Sequence, residues 1–374
     1  MSWSRFLAVL IKEFRQIRRD RLTFAMMVGV PVMQLILFGY AINTDPRHLP
    51  MALVEADHSE FSRSLVASLE NSAYFRVTER LQSEAEGKQA LDAGRVQFLL
   101  VVPPDFSRRV LRGEQPAVLL AADGTDPAAS GNALAALDAI TRQVAARDLP
   151  QQATAAAAIS APFEIRVQRR YNPEGISRYN IVPGLIGVIL TMTMVMMTSL
   201  AMTRERERGT MENLLATPVR PIEVMAGKIA PYIVIGYVQV AVVLLAARLL
   251  FDVPVMGSML LLSTALVVFI AANLAVGFTF STVARNQLQA MQLTFFFFLP
   301  SMLLSGFMFP FRGMPVWAQW IGEILPLTHF LRIVRGIMLK GNGLAEIIPH
   351  LWPIALFMLA AGLVALRRYR QTLD

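Results

Sequence analysis

Six stretches of this chain are long enough and close enough to uncharged to cross a lipid bilayer, and this limits the folds open to it. A helix rises about 1.5 Å per residue, so roughly twenty apolar residues cover about 30 Å of hydrocarbon. Residues 22–42, 181–203, 229–250, 259–283, 288–309 and 349–366 meet that requirement. The last is the least regular, because Pro349, His350 and Pro353 crowd its start. Apolar residues make up 55% of the chain and charged residues 17%. A soluble protein of this size has no core large enough to hide so much apolar surface. The chain has no cysteine, which excludes disulfides and thiol chemistry. Its four histidines, at 48, 58, 329 and 350, are too scattered to read as a zinc site.

The distribution of charge orients the spans. Residues 43–178 carry 15 basic and 17 acidic side chains, so the whole of the formal net charge of +8 belongs to the membrane part. The basic residues flank apolar spans, which is the positive-inside pattern rather than the footprint of a nucleic-acid binder. Arg5 to Arg21, Arg204 to Lys228, Arg285, and Arg367 to Arg370 all fall on one side if both termini are cytoplasmic. One segment breaks the rule. Arg312, Arg332, Arg335 and Lys340, between spans five and six, then lie outside. Arg332 and Arg335 share a helical face and are expected to meet lipid headgroups or an outer gate.

Before the first span, Trp3, Leu7, Leu10, Phe14 and Ile17 form one helical stripe, with Arg5, Lys12, Arg15 and Arg19 largely off it. Residues 1–21 therefore read as a cytoplasmic amphipathic helix in the membrane interface. Residues 43–178 are the one sizeable polar region. Strand signals recur at 51–57, 74–80, 97–103, 116–123 and 162–170. Helical patterns fall between them at 60–71, 83–94, 105–114 and, rich in alanine, about 128–160. Ser83 followed by Glu86 is a capping box. The alternation of strands and helices implies an α/β domain inserted between spans one and two. The expected architecture is thus an α-helical membrane protein with six transmembrane helices, an inserted periplasmic α/β domain and an N-terminal interfacial amphipathic helix.

Motifs for chemistry are missing. No P-loop, dinucleotide fingerprint, nucleophile elbow or zinc-protease motif occurs. Asp123 and Asp126 stand together without a histidine or further ligands and read as a solvated turn. Polar residues within the spans are costly in lipid and should face protein or a wet cavity. Gln34, Gln239, Asn273, Gln289 and Gln292 are therefore candidates for a translocation path, with interhelical hydrogen bonding as the alternative. No acidic residue lies in mid-span, which argues against an ion-coupled secondary transporter. A membrane receptor with a periplasmic ligand domain is a further rival.

Between spans two and three runs RERERGTMENLLATPVRPIEVMAGK, residues 204–228, with five basic and four acidic side chains. Gly209 interrupts the charges, Thr210 can cap a short helix, and Glu212 in its first turn complements the dipole. Met211, Leu214 and Leu215 share one face, Pro218 ends the helix, and Pro221 can open the next one. A solvated loop needs no such apolar face. A protein partner reading both signs explains it better: the three apolar residues would anchor, and Glu205, Arg208 and Glu212 would form the rim.

This stretch resembles the cytoplasmic signature of permease subunits of type-2 ATP-binding-cassette exporters. RRYNPEGISRYNIVPGLIG (169–187) and LPLTHFLRIVRGIMLKG (325–341) resemble further segments of that family, in the same order. The large domain resembles its drug-export branch. The resemblance implies a multi-pass permease of the bacterial inner membrane that moves a drug-like, amphipathic or lipid-like molecule outward. It implies two separate ATPase subunits carrying ATP and Mg, with no cofactor in this chain, and a second permease copy or paralogue. Membrane lipid is a further partner, and that branch often works with a periplasmic adaptor. The 204–228 segment would hold the coupling helix. Residues 310–346, with His329, Arg332 and Arg335, would form short re-entrant helices on the outer side.

Overall fold

The computed structural model describes residues 46–148, 163–208 and 221–368. The expected N-terminal interfacial helix, the span at 22–42 with Gln34, and residues 209–220 lie outside the described residues.

The polar region forms a five-stranded sheet with helices on both faces. Its strands are β1 (Leu49–Glu55), β2 (Phe75–Leu81), β3 (Phe98–Val102), β4 (Ala117–Asp123) and β5 (Glu164–Arg170), in the spatial order β2-β1-β3-β4-β5. All neighbours are parallel except β3 and β4. The helices are α1 (Glu60–Asn71), α2 (Glu84–Asp92), α3 (Phe106–Leu111), α4 (Pro127–Ala135) and α5 (Leu137–Asp148). The period of two sorts the strand residues. Leu49, Met51 and Leu53, with Phe98, Leu100 and Val102, pack with α1, α3 and α5, while Ala52, Val54 and Leu99 pack with α2. The capping box is present: Ser83 Oγ accepts from Glu86 N, and Glu86 Oε2 accepts from Gln82 N, one residue outside the expected donor. The alanine-rich stretch does not continue as one helix. It breaks at Ala136, and both pieces bury a face, with Ala133 from α4 and Leu137, Ile140 and Val144 from α5.

Five helices among the described residues are long and apolar enough to cross a membrane: α6 (Ser177–Glu207), α7 (Pro221–Phe251, apolar from Pro231), α8 (Met259–Val283), α9 (Gln287–Leu304) and α12 (Leu344–Arg368). Pro221 opens α7 as expected. Helix α9 stops five residues short of the expected end, because Gly306 adopts φ +82° and turns the chain. The prolines of α12 do not interrupt it. Between α9 and α12 lie a 3₁₀ turn at Phe311–Gly313, the short helices α10 (Val316–Ile324) and α11 (Pro326–Arg335), and a π turn at Gly336–Lys340. Helix α11 is buried in the bundle, with Phe330 stacked on Phe269 of α8 at 4.1 Å.

Candidate functional site

Two ends of the bundle carry different chemistry. At one end the α/β domain is clamped to the helices. Lys340 closes the π turn, whose wider spacing lets Met338 O accept from Met256 N at 2.9 Å. Its ammonium donates to Asp123 Oδ2 at 2.6 Å and to Leu91 O at 2.9 Å, and the two charged side chains are only 7% and 11% exposed. The other oxygen of Asp123 accepts from Thr125 N and Oγ1 at 3.0 and 2.7 Å. Arg312 donates to Gly94 O at 3.0 Å, and Asn342 to Asp92 O at 3.1 Å. The C-terminal carbonyls Leu91 O and Asp92 O of α2 thus meet donors from Lys340 and Asn342 at the negative end of the helix dipole, and Arg312 bonds the chain just beyond it.

The next turn of the domain is held from α6. Asn180 donates to Thr125 O at 2.7 Å and accepts from Arg335 Nη2 at 2.9 Å. Arg335 also donates to Gly306 O at 3.1 Å. Asp126 caps α4, and burial raises its carboxyl above the ordinary value against the pull of Arg335. The expected solvated turn at Asp123 and Asp126 is therefore a docking element. Arg332 makes a bidentate pair with Glu323, at 3.0 and 2.6 Å, and lies over the Phe311 ring. His329 is buried, its Nε2 2.8 Å from Glu323 O and its ring 5.8 Å from that of His350. Arg332 and Arg335 are thus engaged by protein acceptors.

At the far end, Arg206 donates to Ala284 O at 3.0 Å, and Gln287 donates to Glu207 through its main chain at 2.9 Å and its side chain at 2.5 Å. These bonds tie the end of α6 to the α8–α9 turn. Glu205 is half-buried there and Arg208 is exposed, as the C-cap of α6. The other coupling residues, Gly209, Thr210, Met211, Glu212, Leu214, Leu215 and Pro218, lie outside the described residues. Arg204–Arg208, Arg285 and Arg367–Arg368 share this far end, because the five helices alternate in direction through the bundle.

The interior polar residues divide into two groups. Gln239 accepts from Thr193 Oγ1 at 3.0 Å, joining α7 to α6. Gln289 accepts from Arg285 N at 2.8 Å and closes the start of α9. Asn273 and Gln292 keep buried side-chain oxygens without a partner among the described residues, as do the hydroxyls of Thr198 and Ser199. Asn273, Thr198 and Ser199 border the closest approach of α6 and α8. There a Cβ on Gly277 would meet Thr198 Cβ and Val195 O at 2.8 Å. Buried polar atoms without partners are uncommon, so these four call for an explanation. Sequence reasoning missed Thr198 and Ser199, whose signal was a pair of small hydroxyls within a span.

Residues 21–367 match the family model described as ABC-2 family transporter protein. The chain is 31% identical to the probable multidrug ABC transporter permease YbhS of Escherichia coli (strain K12), over 99% of this chain and 98% of that one. It is 28% identical to the probable multidrug ABC transporter permease YbhR of the same organism, over 96% of each chain. The inner membrane transport permease YhhJ, also from that strain, is 29% identical over 97% of this chain and 96% of its own length. With its multi-pass helical bundle and a match running almost from end to end, the chain belongs to the ABC-2 family of transporter permeases.

Proposed function

We propose that this chain is the transmembrane subunit of an exporter driven by ATP hydrolysis on two separate ATPase subunits. It would work beside a second permease in the bacterial inner membrane. Relatives named as multidrug and inner-membrane permeases support a drug-like or amphipathic substrate and that location. The observation that carries the reading is the family match across 21–367, which includes the segment joining α6 to α7. In this reading the far end of the bundle is cytoplasmic and the α/β domain periplasmic. ATPase closure would push on residues 209–217, and the tie between α6 and the α8–α9 turn would pass that push into the bundle. The unpartnered polar atoms of α6 and α8 would then meet the substrate or its water.

The test separates a buried anchor from a rim charge. Leu214→Asp would bury an unpaired carboxylate in the ATPase groove, at a cost of several kcal/mol, and should abolish both ATPase co-purification and substrate-stimulated hydrolysis. Glu212→Ala should cost about 1 kcal/mol or less. Wild-type behaviour of Leu214→Asp would remove the coupling role from this segment.

A further inference from the structure

The two edges of the sheet are unlike. Edge strand β2 pairs with β1 through a register shift at Met51/Ala52, and Glu79 on it pairs with Arg95. A bulge of this kind keeps an edge from recruiting another strand. Among the described residues the β5 edge has no bulge and no further strand beside it. Its register with β4 runs unbroken from Glu164 to Arg170, and it contains no proline. Glu164, Arg166, Val167, Gln168 and Arg169 are exposed. The phase of the β4–β5 ladder is given by two bonds, Glu164 N to Pro116 O and Gly124 N to Arg170 O. Even-numbered residues therefore turn their main-chain groups toward β4. Ile165, Val167 and Arg169 turn theirs to the open edge.

We propose that β5 of one copy pairs antiparallel with β5 of a second copy about a two-fold axis at Val167, making one continuous sheet across the permease pair. This register uses all three outward-facing residues. Ile165 meets Arg169, Val167 meets Val167, and Arg169 meets Ile165, for about six main-chain hydrogen bonds. In the closer, non-bonded positions Glu164, which pairs with Arg166 of its own strand at 3.0 Å, falls opposite Arg170 of the second copy, which is 17% exposed and pairs with Glu84 at 3.4 Å, so each such contact, made twice by symmetry, adds a second carboxylate to an arginine that already has one. A two-fold axis at Ile165 or Arg169 leaves part of the edge unpaired and loses the Glu164–Arg170 match. On the face bearing Ile165 and Val167, two recesses of about 650 and 560 Å3 lie between β5 and helices α4–α5, both bordered by Leu134 and Val167. They leave room for the second copy's Ile165 and Arg169 side chains.

The inference rests on the reading of the chain as one of two permeases and takes the second to be another copy of this chain, so the experiment measures both. The chain has no cysteine of its own. In Val167→Cys the two thiols would sit at an antiparallel bonded pair, where a Cα separation of about 5.5 Å suits a disulfide. Membranes carrying Val167→Cys, or the control Arg76→Cys on β2, are treated with a mild oxidant or a short bis-maleimide. The native mass of the purified permease gives the number of copies. The expected result is two copies, with a covalent dimer as the main species for Val167→Cys and only background for Arg76→Cys. Two copies with no covalent dimer of Val167→Cys, or with one of Arg76→Cys instead, would overturn the β5 pairing and leave the paired permease standing. A single copy of this chain in the complex would overturn the pairing of two β5 strands, and a single copy with no second permease beside it would overturn the paired permease as well.

Discussion

Lys340→Met tests whether the α/β domain is clamped to the bundle by charge. The mutation leaves Asp123 11% exposed, with Thr125 on one oxygen and nothing cationic on the other. It also removes the bond to Leu91 O. Breaking a buried pair by deleting one partner costs about 3–5 kcal/mol, because the remaining charge stays desolvated. Neutralising both partners with Lys340→Met and Asp123→Asn removes that penalty and should cost about 1 kcal/mol, for the lost carbonyl bond. A reporter cysteine at Asn180, which is 7% exposed beneath the Thr125 turn, reads the docking equilibrium. On that background Lys340→Met should raise the thiol-labelling rate by roughly 100-fold or more, and the double variant by roughly 10-fold or less. Equal rates in both would assign the effect to the lysine stem and its carbonyl bond, not to charge. A wild-type rate for Lys340→Met would show that the pair does not hold the domain.

Three further outcomes follow from the same contacts. Gly277→Val places a side chain 2.8 Å from Thr198 Cβ and Val195 O, so α6 and α8 must part, and the melting temperature should fall by the equivalent of about 1–3 kcal/mol; an unchanged melt would refute the close approach. The raised pKa of Asp126 means that the native state binds this proton more tightly than the unfolded chain, so stability falls as pH rises through the native value. Asp126→Asn keeps the cap acceptor and should melt higher than wild type, with a gain that grows as pH rises from the ordinary carboxylate value through the native one and then levels off; a loss above that window would identify Asp126 as an ionised partner of Arg335. An impermeant thiol reagent should label Arg112→Cys, but not Arg208→Cys, from outside the cell, and the reverse pattern would invert the topology.

Local order was legible in the sequence and tertiary pairing was not. The five strands, the cap at Ser83, the start of α7 at Pro221 and the bounds of α8 all follow from period, caps and composition, which act over a few residues. The strand order and the single antiparallel neighbour depend on which edges meet, and no local signal carries that. The Asp123-Gly124-Thr125-Asp126 turn shows the limit most clearly. A docked turn and a solvated turn use the same residue types. What distinguishes this one is Lys340, 217 positions away. The break in the alanine-rich helix at Ala136 was hidden because alanine favours helix at every position.

The four cations that do not fit the expected positive-inside pattern all contact protein groups at one end of the bundle. Lys340 is engaged by Asp123, Arg332 by Glu323, Arg312 by the Gly94 and Arg95 carbonyls just past α2, and Arg335 by Asn180 and Gly306. Lys340 and Arg312 reach the α/β domain directly, and Arg335 reaches it through Asn180, which holds Thr125 O. Only Arg332 is satisfied wholly within the α10–α11 segment. Lys340 and Arg332 are neutralised by carboxylates and do not act as free orienting cations, whereas Arg312 and Arg335 keep their charge on neutral acceptors. The pairing also works in the other direction. Asp123 is a buried carboxylate that needs a cation, and the α2 carbonyls form a helix end that needs donors. Each half of the molecule therefore supplies what the other lacks. The inserted domain is a structural part of the bundle end it sits on, and any movement of α11 or of the π turn at Gly336–Lys340 must either carry the domain along or break the clamp.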